Sequence, residues 1–281
     1  MHFGLLSMSV IGAVILRLPT PQIHNSWQER WHSALTYFLL PPLLIFTTSI
    51  ALICMGTKGE MLGKPMGLLG EISYVWAWLL VITWLICLVY RSYQGWQSCQ
   101  NLKELTPSSW QGYDFLLLDT DRPIAARVGF WTSQLVLSKG LFTHLGPDHI
   151  KSIIDHESAH AFYRDTFYFF WLGWLEQCSK LLPNSQLWWR ELLLLREMRA
   201  DQWAKQRVDY LLLAESLLTL AQFNHQELSP FLAAPINPLP DRLEQRIDYL
   251  LQEESGECQS GFNWWWLLGL MPLGSIGFHS L

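Results

Sequence analysis

Residues 153–165 read IIDHESAHAFYRD, and the fold turns on whether this stretch is helical. No proline or glycine interrupts 148–165. Pro147 suits the first position of a helix, and Asp148 suits the positive end of its dipole. Residues four apart share a helix face, so His156 and His160 aim their imidazoles at one point. Glu157, one step round, reaches a water at that point without being a ligand. Metal-assisted hydrolysis needs that arrangement. Zinc lowers the pKa of its water towards about 7, and a carboxylate takes the proton as the water attacks a carbonyl.

A catalytic zinc usually takes three protein ligands. The long metzincin continuation would put glycine and a third histidine where this chain has Tyr163 and Thr166. The best third ligand is Glu197 in LLLLREMRADQWA. Leu193 and Leu194 precede it by four and three residues, so its face is apolar. An acid there is costly to bury unless it is paired or metal-bound. Asp201 follows four residues later on the same face and can orient a ligand histidine by accepting its second N–H. The alternative is that both acids pair with Arg196, Arg199 or Lys205 on a solvated face. Glu191 and Glu176 are weaker rivals for the third ligand. His149, seven before His156 on the same face, serves the surface or contacts substrate. His2, His24, His32, His144, His225 and His279 have no ligand spacing.

The flanks point to a membrane. Of 281 residues, half are hydrophobic, 15% are charged and 16 are tryptophan. Ordinary soluble domains carry about 25% charge, and tryptophan favours the membrane–water interface. No charge falls between His32 and Lys58, and ISYVWAWLLVITWLICLVY lies between Glu71 and Arg91. Both runs reach the roughly 20 residues a span needs. Residues 34–56 and 72–90 are the expected spans, with Pro41 and Pro42 kinking the first or setting its start. The N-terminal MHFGLLSMSVIGAVIL reads as a short span, and the charge-free 262–281 as a last span or an interfacial helix. The formal charge of -5 gives no electrostatic case for nucleic acid. Cys54, Cys87, Cys99, Cys178 and Cys258 form no CxxC pair and no disulfide framework.

Between the flanks, strand-like and helical patterns alternate. YDFLLLDT reads as a strand, and RVGFWTS with QLVLSKGL as a hairpin or paired strands. TFYFFWLGWL (166–175) is short for a span and reads as a core or membrane-surface helix. LWWRELLLLREMRADQWAKQ, VDYLLLAESLLTLAQF and LPDRLEQRIDYLLQEE read as further helices, with the Pro-rich NHQELSPFLAAPINPLP as a connection. The expected organisation is a membrane region over 1–99 with two or three spans, an α+β domain over 100–256, and a C-terminal membrane segment over 257–281.

HESAHAFYRD, the upstream GFWTSQLVLSKGLFTHLGPDHIKSIIDH, the downstream LPNSQLWWRELLLLREMRADQWA and RLEQRIDYLL together resemble the membrane gluzincins. The resemblance is to the BlaR/MecR family of antibiotic-sensor peptidases, and more distantly to HtpX-type heat-shock membrane proteases. It covers about 110–252. It implies a small β-sheet with helices carrying HExxH. It also implies zinc held by His156, His160 and Glu197, Glu157 as the base and Asp201 behind a ligand. Ala200 stands where the sensor family often has cysteine, and the sequence stops at Leu281 without the penicillin-binding sensor domain. The function implied is zinc-dependent endopeptidase activity in regulated proteolysis or signalling. Membrane-protein quality control, or a non-enzymatic scaffold retaining the site, is the alternative. The partners implied are a protein or peptide substrate, the lipid bilayer and other membrane proteins. The resemblance suggests a cytoplasmic active site, whereas Arg17 and Arg30 balance Lys58 and Lys64 in the charge rule for orientation. Tyr163, Arg164 and Tyr210 are the candidates to stabilise an oxyanion. The edge strand near SQLVLS is the expected seat for an extended substrate.

Overall fold

A computed structural model describes residues 2–21, 26–56, 60–61, 64–65, 68–223, 242–251 and 264–280. The Pro-rich connection 224–240 and Cys258 lie outside the described residues. The protein is mixed α+β and mostly helical, with a small four-stranded sheet. It divides into two compact units. One comprises Met1–Tyr90, Gly173–Leu192 and Gln259–Leu281, and the other Arg91–Leu172 and Leu193–Cys258.

The first unit is built on α2 (Trp27–Met55), which packs against α1 (His2–Arg17) and a 3-10 segment, Trp264–Phe278. Two-residue strands β1 (Glu60–Met61) and β2 (Lys64–Pro65) pair with each other, and β1 also pairs with β7 (His279–Ser280). Ser26 starts α2 by accepting the Glu29 N–H. Pro41 and Pro42 lie inside α2 and do not set its start. A proline has no N–H for the carbonyl four residues back, which for Pro42 is that of Phe38. Arg17 Nη2 donates to the Phe38 carbonyl at 2.8 Å, and its Nη1 donates to Ser185 Oγ at 3.1 Å. The freed acceptor is thereby satisfied from α1. Arg30 Nε donates to Glu191 Oε1 at 2.8 Å in a buried pair, so this rival acid already has a cation.

Two helical stretches are long and apolar enough to cross a membrane, Trp27–Met55 and Leu68–Glu104. The second consists of α3 (Leu68–Asn101) and a single 3-10 turn. It leaves a broad apolar face exposed, including Val75, Trp76, Leu79, Ile82, Ile86 and Val89. At 16 residues, α1 falls short of that length.

In the second unit the sheet order is β3-β4-β6-β5, from β3 (Thr106–Trp110), β4 (Tyr113–Leu118), β5 (Ala125–Gly129) and β6 (Ser133–Ser138). A two-residue turn at Gln111 and Gly112, both with positive φ, joins β3 to β4. β4 and β6 run parallel, and β5 and β6 form the hairpin expected from the sequence. SQLVLS is not an edge, contrary to the expectation above. It is β6, paired on both sides, and its Leu135, Val136 and Leu137 are buried. A near-continuous apolar run is what a strand buried on both faces carries. The edges are β3, whose Pro107 an edge tolerates, and β5.

Ser138 ends β6 and caps α4 (Lys139–His144), accepting the Leu141 and Ile124 N–H groups. Gly140 follows because a Cβ there would lie 2.1 Å from the Asp121 carbonyl oxygen. The SKGL tetrapeptide thus joins strand to helix where two backbone segments nearly touch. Then α5 (Pro147–Phe162) lies across the sheet, its Ile150, Ile153 and Ile154 packing with Phe115, Leu135, Leu137 and Leu141. The remaining helices are α6 (Asp165–Cys178), α7 (Ser185–Lys205), α8 (Tyr210–Phe223) and α9 (Leu243–Leu251). α8 packs on α5 and α9, where Leu213, Leu217 and Leu250 meet Ala204 of α7.

Candidate metal centre

Burying Ile150, Ile153 and Ile154 fixes the roll of α5 against the sheet, and so fixes where His156 and His160 point. Both are buried. On α7, buried Leu193, Leu194 and Met198 set the roll that brings Glu197 to them. One ligand atom from each of His156, His160 and Glu197 lies within 4.8 Å of the others. His156 Nε2 is 3.3 Å from Glu197 Oε2, and His160 Nε2 is 3.7 Å from Glu197 Oε1. These three residues meet in space although 41 positions separate His156 from Glu197 in the sequence numbering.

Each imidazole is held from behind. His156 Nδ1 lies 2.8 Å from Asp201 Oδ1, and His160 Nδ1 lies 2.8 Å from Asp165 Oδ2. Each of these carboxylates meets an arginine. Arg246 of α9 donates its Nε to Asp201 Oδ2 at 2.8 Å and Nη2 to Oδ1 at 2.9 Å. Arg199 donates to Asp165 Oδ1, and its guanidinium stacks 4.0 Å over the Tyr163 ring. Arg196 pairs with Glu197, and Arg246 Nη1 stands 3.5 Å from Glu197 Oε2. Asp201 is wholly buried, so the solvated face is not where Glu197 and Asp201 sit.

The electrostatics follow from burial and these partners. Burial alone would discharge His156, but Asp201 and then Glu197 outweigh it and push its pKa up to about 10. Burial raises the Glu197 carboxyl, yet Arg196, His160 and Arg246 hold it well below the usual carboxylate range. The same contest, won by Arg246 and His156, keeps Asp201 low, and His160 and Arg199 keep Asp165 low. Arg246, despite burial, is raised by Asp201, then Glu197 and Glu157.

The donor set fits a divalent metal ion of the zinc type. Two imidazoles and one ionised carboxylate converge, and both Nδ1 atoms face carboxylates, which leaves the Nε2 atoms for coordination. Glu157 is half-buried beside the cluster, and its charge is felt by Arg246 and by Arg127 of β5. Of the oxyanion candidates, Tyr163 carries the Arg199 guanidinium and the Tyr210 ring lies 5.4 Å from Lys205 Nζ. Arg164 takes a left-handed conformation, φ 53°. That reversal ends α5 and swings Asp165 back onto His160. His149 is engaged with Ser216 Oγ at 2.9 Å.

Arg246 and Asp165 were not assigned from sequence. Arg246 did leave a trace: it stands three after Leu243 and four before buried Leu250, a cation on an apolar stripe, as Glu197 is an acid on one. No family model, curated protein or solved structure matches this chain.

Proposed function

We propose that this chain is an integral, multi-pass membrane zinc endopeptidase of the gluzincin kind, similar to the BlaR/MecR peptidases. The observation that carries the proposal is the convergence of His156, His160 and Glu197 with Glu157 beside them. Trp27–Met55 and Leu68–Glu104 would anchor it in the bilayer, with the active site on the cytoplasmic side. Its function would be regulated proteolysis or signalling.

Zinc held by His156, His160 and Glu197 supplies a Lewis acid and a water that ionises near neutral pH. Glu157 takes the proton of the attacking water and returns it to the leaving amine. Asp201 and Asp165 hold the two imidazoles in one tautomer and one orientation, and Arg246 and Arg199 hold those carboxylates ionised. The open edge of β5, beside α5, would receive the substrate as an added strand.

The test is metal analysis and cleavage of a general protein substrate by detergent-solubilised protein. Wild type should carry zinc and cut. Glu157→Gln should keep zinc and lose turnover, and Glu197→Ala should lose zinc. Full zinc occupancy in Glu197→Ala removes Glu197 from the site, and zinc without cleavage in wild type favours a scaffold.

A further inference from the structure

The register of the β5–β6 hairpin decides which side chains of the edge strand face the catalytic helix. Ala125, Arg127 and Gly129 lie opposite Leu137, Leu135 and Ser133. Residues directly opposite in an antiparallel pair project to the same face. Leu135 and Leu137 belong to the core cluster with Ile150, Ile153 and Ile154 of α5. Arg127 therefore projects on the α5 side of the sheet, at its open edge. Glu157 lies four residues after Ile153 and three after Ile154, on the same stripe of α5 one turn further on.

Arg127 is set apart from the other arginines of this region. Arg196, Arg199 and Arg246 are each paired with a carboxylate. Arg127 has no such ion pair among the described residues. Its Nη1 makes a long 3.4 Å bond to the Ser133 carbonyl of its own hairpin, and its Nε is buried with no hydrogen-bond partner there. The charge of Glu157 reaches it without a direct contact. On either side of Arg127, the same face of the edge carries only Ala125 and Gly129. Gly129 has φ 148°, and a Cβ on it would lie 2.2 Å from the Thr132 carbonyl oxygen.

We infer that Arg127 is a specificity-determining residue that selects a substrate with an acidic side chain at the position opposite it. The inference rests on the endopeptidase reading above. A strand added to the β5 edge places one residue opposite Arg127, with Cβ atoms about 4.5–5.5 Å apart on the α5 face. A carboxylate there meets a half-buried guanidinium with donors to spare, the pairing that guanidinium geometry favours. A lysine there would confront the same cation. Two residues along on one side, the substrate faces Ala125, whose single methyl leaves room for a bulky side chain; on the other, the place of a Gly129 side chain is filled by the Thr132 carbonyl. The expected recognition pattern is an acidic residue opposite Arg127 and a bulky one opposite Ala125, two positions away.

The probe is a set of internally quenched, otherwise neutral peptides in which one Glu is moved through every position, each with Gln and Lys counterparts. Binding is measured on zinc-loaded Glu157→Gln protein and cleavage on protein with Glu157 intact, each in detergent. At one position Glu should bind and be cut about tenfold better than Gln, mostly through KM, and Lys should be worst. Arg127→Gln should bring the Glu-to-Gln ratio near one, Arg127→Lys should keep part of it, and Arg127→Glu should reverse it towards Lys. Unchanged zinc content and melting temperature show that these variants fold. A ratio at every position that Arg127→Gln does not alter overturns the inference while cleavage stands. Acid-selective binding that depends on Arg127, without cleavage by wild type, supports the inference and sinks the endopeptidase reading alone.

Discussion

Replacing Arg246 by methionine keeps the length and apolar stem of the side chain and removes its charge. Asp201, wholly buried, then loses both bonds that hold its carboxylate. Removing one partner of a buried ion pair costs about 3–5 kcal/mol. A carboxylate orienting a metal-ligating histidine is worth roughly 10–100-fold in metal affinity or activity, which is about 1.4–2.7 kcal/mol. The second figure is smaller, so the loss divides. Arg246→Met should weaken zinc binding by roughly 10–100-fold, and the remainder should appear as lower stability of α9 on α7. Asp201→Asn should weaken zinc by a similar factor, because both changes act on the contact to His156 Nδ1, the 3.5 Å approach of Arg246 to Glu197 being the longer of its two carboxylate contacts. The double variant should then be no worse than the weaker single, within about 0.5 kcal/mol. The assay is competition for zinc against a chromophoric chelator, on all four proteins of the cycle in one detergent. If the two losses multiply, Arg246 does not act through Asp201, and the reasoning fails.

Asp165→Asn should also weaken zinc by roughly 10–100-fold. It acts on the other imidazole, so chelator competition on Asp165→Asn/Asp201→Asn should show losses that multiply. In metal-free protein, His156 titrates at about 10 instead of about 6.5. A raised pKa adds stability that is full below the unfolded value and lost as pH rises through the folded one. Melting of the metal-free protein should therefore fall between about pH 6.5 and about pH 10, and His156→Gln should flatten that slope. The expected spans, 34–56 and 72–90, lie within the two helical stretches of span length except for Gly56, the cap of the first, so alkaline carbonate should leave the protein in the membrane pellet. Recovery in the supernatant contradicts a spanning anchor.

The parts of this protein legible in its sequence are those whose reasons are local. Helix α5 is bounded by Pro147 and filled by residues of one period, so the shared face of His156 and His160 could be derived from spacing. Glu197 was conspicuous because it interrupts a leucine stripe. The β5–β6 hairpin announced itself through Val, Phe and Leu around a tight turn. What escaped depends on residues distant in sequence. β6 looked like an edge until β4 was seen paired in parallel on its far side, and no period within SQLVLS carries that fact. TPSSW, with one proline and no alternation, gave no sign of being β3, since an edge strand needs little apolar content. Asp165 is only five residues from His160, but a continuous helix would turn it away. The left-handed Arg164 brings it back, and an arginine there has no propensity that advertises the reversal. Arg246 meets Asp201 only after α8 and α9 have folded over α7.

That last contact has a consequence for biosynthesis. Arg246 is 45 residues downstream of Asp201, so a growing chain has both histidines, Glu157 and Glu197 long before it has the cation that fixes Asp201. Until α9 is made and docked, a buried Asp201 is better off protonated or wetted than charged and alone, and His156 lacks its firm backing. On the proposed function, arming of the centre is tied to completion of the catalytic unit.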